Sequence, residues 1–474
     1  MPGFFYVPGL KNRVSFTIFV HYVHCGFTNY KILMKKLLSL AFCAILAVSC
    51  STSQPKMITV DTPAREPGQE TMLSFAADPI PVVRVGFVGV GARGSDAVRR
   101  FTYLQGVEIK AICDKYAEKT ERSQKRLVDA GLPEATLYSG EEGYKQLCER
   151  DDIDLVYICT NWQMHVPVAL YAMEHGKHVA IEVPAATSLA DCWALVNTSE
   201  KTRRHCMMLE NCCYDFFEMA ALNMAQKGLF GELIHTEGAY IHNLDPYWNE
   251  YADNWRLDFN QSHGGDVYPT HGFGPCCQAL NIHRGDKLNY LVSFGTKSIN
   301  GLKRGKEKMG VDTFANPDHT VTLVKTETGK TMEIQHNVFT PREYSRMYQL
   351  VGTDGYANKY PVSRFMINGE EKNLSHTQID SLMAAYEHPI HKGISEEARK
   401  VGGHGGMDFV MDYRLIYCLH NGLPLDMDVY DLAEWCCISE LSAISQANEG
   451  MPVQIPDFTR GDWNKLSGIK FYEK

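Results

Sequence analysis

Three glycines in Gly89-Val90-Gly91-Ala92-Arg93-Gly94 close a strand-like run that begins at Val82, and a helix is due to start where they end. Glycine at these places meets three needs. It allows a tight turn, lets the backbone approach a pyrophosphate, and lets the helix pack closely on the strand, while the helix N-terminus faces the anion. The motif alone is weakly specific. Asp114 adds weight, because it ends the next apolar run 20 residues beyond Gly94, where a carboxylate accepts hydrogen bonds from the adenosine ribose. A carboxylate there repels a 2'-phosphate, so the expected cofactor is NAD rather than NADP.

The elements that must hold this site are legible as a rhythm. After Val82, short apolar runs at 107–113, 155–159 and 178–181 alternate with amphipathic stretches, the pattern of βαβ units on a parallel sheet. A Rossmann dinucleotide-binding domain is expected over residues 81–207. Beyond Met208 the runs 320–325 and 331–338 are β-rich with turn residues between them, which predicts a second, α+β domain over 208–474 on an open mixed or antiparallel sheet. A late helix is expected near 428–448. The fold class is therefore α/β, with an N-terminal Rossmann domain and a C-terminal α+β domain.

At 474 residues, 45% hydrophobic and 22% charged, the chain can bury two cores. A net charge of -9 offers no footprint for a polyanion, so no nucleic-acid partner is expected. The 15 cysteines are odd in number, and several sit inside apolar runs. They read as free, packed thiols rather than a disulfide framework. No His, Asp or Glu cluster with ligand spacing stands out, so no metal is expected.

From Met34, a basic start, an apolar run and small residues lead to Cys50, the form of a secretory signal over 34–50. Ala47-Val48-Ser49-Cys50 resembles a bacterial lipobox, which implies lipidation of Cys50 and a membrane-anchored, exported lipoprotein. An ordinary cleaved signal is the alternative. The apolar run from Leu37 to Val48 falls well short of the ~20 residues that a span requires. Residues 1–33 have no place in such a signal and read as an upstream extension. Residues 51–80, rich in Ser, Thr, Pro and Glu, are expected to form a flexible tether.

Asp154-Leu-Val-Tyr-Ile-Cys-Thr-Asn-Trp-Gln-Met-His165 and Gly176-Lys-His-Val-Ala-Ile-Glu-Val-Pro184 resemble the glucose-fructose oxidoreductase/inositol dehydrogenase (Gfo/Idh/MocA) family over nearly all of the chain after residue 81. That family normally ends the second segment Glu-Lys-Pro, with the lysine supporting hydride transfer; here Val183 stands in its place. The departures form a pattern of their own. Glu182-Val-Pro-Ala185, Met208-Leu-Glu-Asn211, Tyr240-Ile-His-Asn243, Tyr268-Pro-Thr-His271, Pro341-Arg-Glu-Tyr-Ser-Arg346 and Gly402-Gly-His-Gly-Gly406 are similar to glycosyl hydrolase family 109. Its members include α-N-acetylgalactosaminidases that work through a tightly held NAD. The resemblance implies a cofactor site of Gly89, Gly91, Ala92, Arg93, Gly94, Asp114, Trp162, Gln163, Met164, His165, Glu182, Val183 and Asn211, with Tyr268 reaching it too. It implies a sugar site of Tyr240, Arg256, Tyr268, Pro269, Thr270, His271 and Tyr344, with Tyr348 as the alternative to Tyr344.

The implied chemistry is oxidation at C3 of the sugar, loss of the acidified C2 proton with expulsion of the C1 leaving group, addition of water, and reduction back, so NAD is recycled. Tyr268 and His271 are the expected proton carriers, with Tyr240 next. Histidine has the better solution pKa and tyrosine needs activation; the sequence leaves the choice open. Arg256 is suited to hold the sugar or a developing oxyanion. Two other functions compete: an NAD-dependent sugar dehydrogenase that releases NADH, and a non-catalytic sugar-binding lipoprotein. Val183 and the scarcity of free NAD outside the cytoplasm weigh against the first, and the intact glycine motif and Asp114 against the second. Partners expected are a glycan, a membrane through Cys50 and, since related proteins often pair through the second sheet, a homodimer.

Overall fold

The computed structural model describes residues 57–370 and 372–474. The expected upstream extension, the signal with Cys50, and residues 51–56 lie outside the described residues. The first sheet has six strands in the order β3-β2-β1-β4-β5-β6, all parallel. These are β1 (Val83–Val88), β2 (Val107–Asp114), β3 (Thr136–Ser139), β4 (Leu155–Ile158), β5 (His178–Ile181) and β6 (Cys206–Met208). Residues of β4 and β5 are buried throughout, which is why their sequences are near-continuous apolar runs: helices cover both faces of a parallel sheet. The strand order reverses between β1 and β4, where open α/β sheets leave a crevice beyond the strands' C-terminal ends.

The second sheet has eight strands in the order β13-β12-β11-β7-β10-β9-β8-β14. They are β7 (Leu233–Ile241), β8 (Leu288–Gly295), β9 (Thr320–Thr326), β10 (Thr331–Asn337), β11 (Gln349–Gly352), β12 (Tyr356–Asn358), β13 (Arg364–Met366) and β14 (Val453–Gln454). All neighbours pair antiparallel except β7 with β10. Helices Thr270–Ala279 and Val429–Ala447 cover one face. The other leaves Ile234, Leu323 and Phe294 about half exposed. Asp428 and Asp431 form a capping box that starts the long helix.

One contact between these layers decides where the chemistry sits. A Cβ on Gly272 would lie 2.1 Å from the Ala239 nitrogen, and one on Gly238 would lie 2.3 Å from the Gly272 carbonyl oxygen. Only paired glycines allow helix Thr270–Ala279 to rest directly on β7, and this closeness delivers its first turn to Tyr240.

The tether expectation needs correcting for residues 57–80, which are strapped to the body. Ile58 donates to the Pro452 carbonyl at 2.9 Å and accepts from Gln454 at 2.8 Å, extending the edge at β14. Arg65 pairs with buried Glu200 at 3.0 Å, Met72 is buried, and Ile80 donates to the Leu419 carbonyl. The polar composition hid these anchors because every partner lies more than a hundred residues away in the chain. Twelve cysteines among the described residues are free thiols, all buried except the half-buried Cys159. Among the described residues no helix is long and apolar enough to cross a membrane.

Candidate active site

The cofactor half is built at the C-terminal edge of the parallel sheet. Gly89 has φ +86, and a Cβ there would meet the Cys159–Thr160 peptide at 2.6 Å; at Gly94 it would meet the Gly89 carbonyl oxygen at 2.0 Å. At Gly91, in contrast, nothing lies within 4 Å. The first and third glycines are thus demanded by the turn and the packing, and the second leaves the room a phosphate needs. Helix Ala92–Phe101 starts there with no side-chain cap and no acid in its first turn, so its end is suited to an anion. Asp114, at the end of β2, accepts from Val90 N–H at 2.8 Å and Tyr116 N–H at 3.0 Å, binding the glycine turn to the second strand.

Around this turn the other expected cofactor residues gather. Arg93 bridges Glu182 (Nε to Oε1, 2.7 Å) and Asp408 (Nη1 to Oδ2, 2.5 Å). Asn211 donates to the other oxygen of Asp408 at 2.6 Å. Trp162 Nε1 donates to the Val183 carbonyl at 3.2 Å, and the His165 ring nitrogens lie 2.9 and 3.1 Å from the Pro184 and Thr160 carbonyl oxygens. Burial pushes the His165 pKa down against the opposing pull of the two carbonyls, and the ring braces helix Trp162–Glu174 against the Val183-Pro184 turn. Ala92 and Gln163 are exposed on the first turns of their helices, and Met164 is half-buried. The glycine cradle, the free helix end and the Asp114 carboxylate together fit a dinucleotide.

The sugar half faces that edge. The Tyr268 ring lies 5.8 Å from Trp162, 4.5 Å from Tyr240 and 5.0 Å from His271. The Tyr268 hydroxyl is 3.4 Å from His271 Nε2, while His271 Nδ1 is 2.8 Å from Glu210 Oε1 and 3.1 Å from Oε2. Glu210 is fully buried; burial opposes its charge, yet His271 beside it holds the carboxyl below its ordinary range. An ionised Glu210 assigns the ring proton to Nδ1 and leaves Nε2 as the acceptor toward Tyr268. Burial pushes Tyr268 well up, and Tyr240 up as well, the latter partly offset by Arg256. Both hydroxyls keep their protons at neutral pH.

Arg256, on helix Trp255–Ser262, places its guanidinium 4.8 Å from the Tyr268 ring, 5.1 Å from Trp162 and 5.9 Å from Tyr240. It donates to the Tyr251 hydroxyl at 2.7 Å, and its buried Nε has no partner. A cation among aromatic faces is held by the rings' quadrupoles while its charge stays available to an oxyanion. Pro269 and Thr270 are buried in the turn that aims Tyr268 and His271. Tyr344 stands apart, 42% exposed, its ring 5.1 Å from His242. Tyr348 is no substitute, for it is buried with its hydroxyl on the Glu218 carbonyl at 3.3 Å.

Sequence reasoning missed three members of the site. Glu210 and His242 sat inside quoted segments without a role, and Asp408 lay two residues past one. His242 Nδ1 is 3.0 Å from the Tyr240 hydroxyl; burial, with Arg256 and His271 nearby, lowers its pKa to about 4, so it is a neutral partner. Spacing could not reveal these pairings. The structure also brings ligating atoms of Glu210, Cys212 and His271 within 4.8 Å of one another, a grouping that sequence spacing did not suggest. There, Arg346 Nη1 lies 2.9 Å from Cys212 Sγ, and a guanidinium in that place works against a cation.

A parallel dinucleotide-edge sheet joined to a mixed sheet that carries a Tyr-His pair defines a two-domain sugar enzyme of the Gfo/Idh/MocA fold. Residues 83–210 match the model of an oxidoreductase family with an NAD-binding Rossmann fold, and residues 214–465 match that of the glycosyl hydrolase 109 C-terminal domain. Glycosyl hydrolase family 109 protein 1 of Bacteroides thetaiotaomicron is 54% identical over 462 residues, covering 92% of this chain and 99% of that protein. The family 109 protein of Porphyromonas gingivalis is 53% identical, with 93% and 98% covered. Among solved structures, levoglucosan dehydrogenase in complex with NADH and levoglucosan superposes with a TM-score of 0.61 at 16% identity, covering 79% of this chain and 99% of that one. An inositol dehydrogenase homolog complexed with NAD+ from Azotobacter vinelandii gives 0.60 at 17%, with 80% and 99% covered. The chain belongs to glycosyl hydrolase family 109.

Proposed function

We propose that the protein hydrolyses terminal α-N-acetylgalactosaminides with no net redox change, keeping one NAD bound from turnover to turnover. The observation that carries this reading is the Glu210–His271–Tyr268 relay beside the dinucleotide edge, where Val183 offers no ammonium for ordinary dehydrogenase chemistry. Bound NAD would supply a reversible two-electron acceptor, so that the sugar is oxidised and reduced within one cycle.

The chain's own residues supply the proton chemistry. Glu210 fixes the His271 tautomer, and Nε2 is the base that receives a proton from the sugar, directly or through the Tyr268 hydroxyl. Tyr268 and Tyr240, protonated at neutral pH, serve as donors to sugar oxygens. Arg256 sets positive charge under these rings, where an oxyanion would be stabilised. The proton that leaves in the first half is returned in the second, so the protein ends each cycle as it began.

The test is hydrolysis of p-nitrophenyl α-N-acetylgalactosaminide by the purified protein with no NAD added. Sustained nitrophenol release without NADH accumulation is expected. No release with NAD supplied, but stoichiometric NADH from free sugars, would overturn it in favour of a sugar dehydrogenase. The same reading takes the chain out of the cytoplasm on a lipid at Cys50, where a cofactor that is kept need not be replaced. Labelled palmitate should enter the wild-type chain and not Cys50→Ser. Self-association would use the half-exposed face of the eight-stranded sheet and would appear as a dimer mass in sedimentation.

A further inference from the structure

Asp408 belongs to the second domain and is fully buried, yet three of its hydrogen bonds run to the dinucleotide edge or to the loop above it. Its carboxylate accepts from Arg93 Nη1 at 2.5 Å, from Asn211 at 2.6 Å and from His404 Nδ1 at 2.9 Å. His404 Nδ1 also lies 3.2 Å from Arg93 Nη1, but with its ring proton given to Asp408 it accepts nothing from the guanidinium, so His404 and Arg93, in the first turn after the glycine motif, are joined through the carboxylate they share. Desolvation opposes ionisation of Asp408, but Arg93 and His404 hold its pKa far below the ordinary value.

The loop that carries His404 is unusual in its backbone. Gly402, Gly403, His404, Gly405 and Gly406 have φ of 86, 85, 46, 78 and 112, five successive residues on the left-handed side. Packing demands glycine at 403 and 406, where a Cβ would strike Asp408 and the Ala398 backbone. At 402 and 405 nothing lies within 4 Å, so only the backbone conformation calls for glycine there. The His404 side chain is 57% exposed and reaches the edge only through Asp408 and Arg93.

We propose that loop 402–406 is a latch on the dinucleotide cleft, closed by the His404–Asp408–Arg93 contact, and that its opening sets the rate at which NAD leaves. The inference rests on the reading that the protein retains NAD. Closed, the latch joins the second domain to the first turn of the phosphate-facing helix. Opening would turn about Gly402 and Gly405, which nothing crowds, and break the charge-assisted hydrogen bond from His404, while the backbone bonds from Gly402 to Ala398 and from Gly406 to Gly403 act as the loop's anchors.

The experiment loads the full-length protein with isotopically labelled NAD, removes free NAD by rapid desalting, and follows exchange against unlabelled NAD by mass spectrometry. His404→Ala should exchange about tenfold to a hundredfold faster than wild type, the loss of one hydrogen bond to a charged group. His404→Gln, which keeps an N–H for Asp408, should recover part of that loss. Loss of one hydrogen bond at a largely exposed side chain should lower the cofactor-free melting temperature of His404→Ala by only a few degrees, and that of His404→Gln by less, so both variants stay folded at the temperature of the exchange experiment. His404→Ala exchanging at the wild-type rate, with wild type retaining its label, overturns the latch alone. Wild type losing its label on desalting overturns retention itself, and the latch with it.

Discussion

The cofactor edge and the sugar pocket are built by opposite means. From Val83 to Asp114 the edge is one strand, turn, helix and strand, and its demands are local: a φ only glycine adopts easily, a carbonyl no Cβ can approach, a carboxylate at a strand end. The pocket draws Glu210 from the segment after β6, Tyr240 from β7, Arg256 from a helix, Tyr268 from the turn before helix Thr270–Ala279 and His271 from that helix's first turn. Its geometry depends on packing, above all on Gly238 against Gly272. Local demands leave a motif, whereas packed ones leave residues that look ordinary where they stand.

If the halves are separable in this way, damage to one should spare the other. The largest effect is expected from His271→Ala, which should lower kcat by about 10²–10⁴ while the NAD content of the purified protein, read by chromatography, stays at the wild-type level. Loss of the cofactor in that variant would show the halves to be one unit. Glu210→Gln keeps the imidazole but releases its tautomer, so a smaller fall, about 10²-fold, is expected.

Glu210 also gives a stability signature. Its folded pKa lies below the ordinary 4.5, so its contribution is complete above that pH and is lost as pH falls through the folded value. Melting temperatures of Glu210→Gln should therefore fall less than those of wild type on acidification below about pH 4.5. On the other side of the comparison, Gly94→Ala should strip the cofactor and cost about 1–3 kcal/mol of stability in denaturant titration, since a Cβ cannot share space with the Gly89 carbonyl.

The smallest expected effect lies behind the pocket. Asp266 accepts from Tyr268 N–H at 3.0 Å, and burial pushes its pKa up to about 7. A carboxyl raised in this way favours the fold below its ordinary 3.8 and loses that advantage as pH rises through about 7. Asp266→Asn should remove this slope, so its melting temperature should decline less than that of wild type between about pH 4 and 7, with little change in kcat at neutral pH.

Much of the fold is legible in the sequence. The alternation of apolar runs implied the parallel sheet, and β-rich runs beyond Met208 implied the second, because buried strands show their environment in composition. The glycine motif and Asp114 were legible for the same reason. The strap at 57–80 was not, since Ile58, Arg65 and Met72 find partners only across the fold. Tyr268, His271 and Tyr344 come through resemblance to a family, not through spacing, and Tyr344 lies 42% exposed beside His242.

What the sequence determined by itself is therefore whatever a short stretch of chain must satisfy alone: strand burial, the turn at Gly89, the carboxylate at Asp114. Tertiary structure alone decided that Glu210 sets the His271 proton, that Arg256 lies under Tyr268 and Tyr240, and that Asp408 reaches across to Arg93. Hydrogen bonds and charge pairs act over a few ångströms in space, and no distance along the chain encodes them until packing brings the partners together.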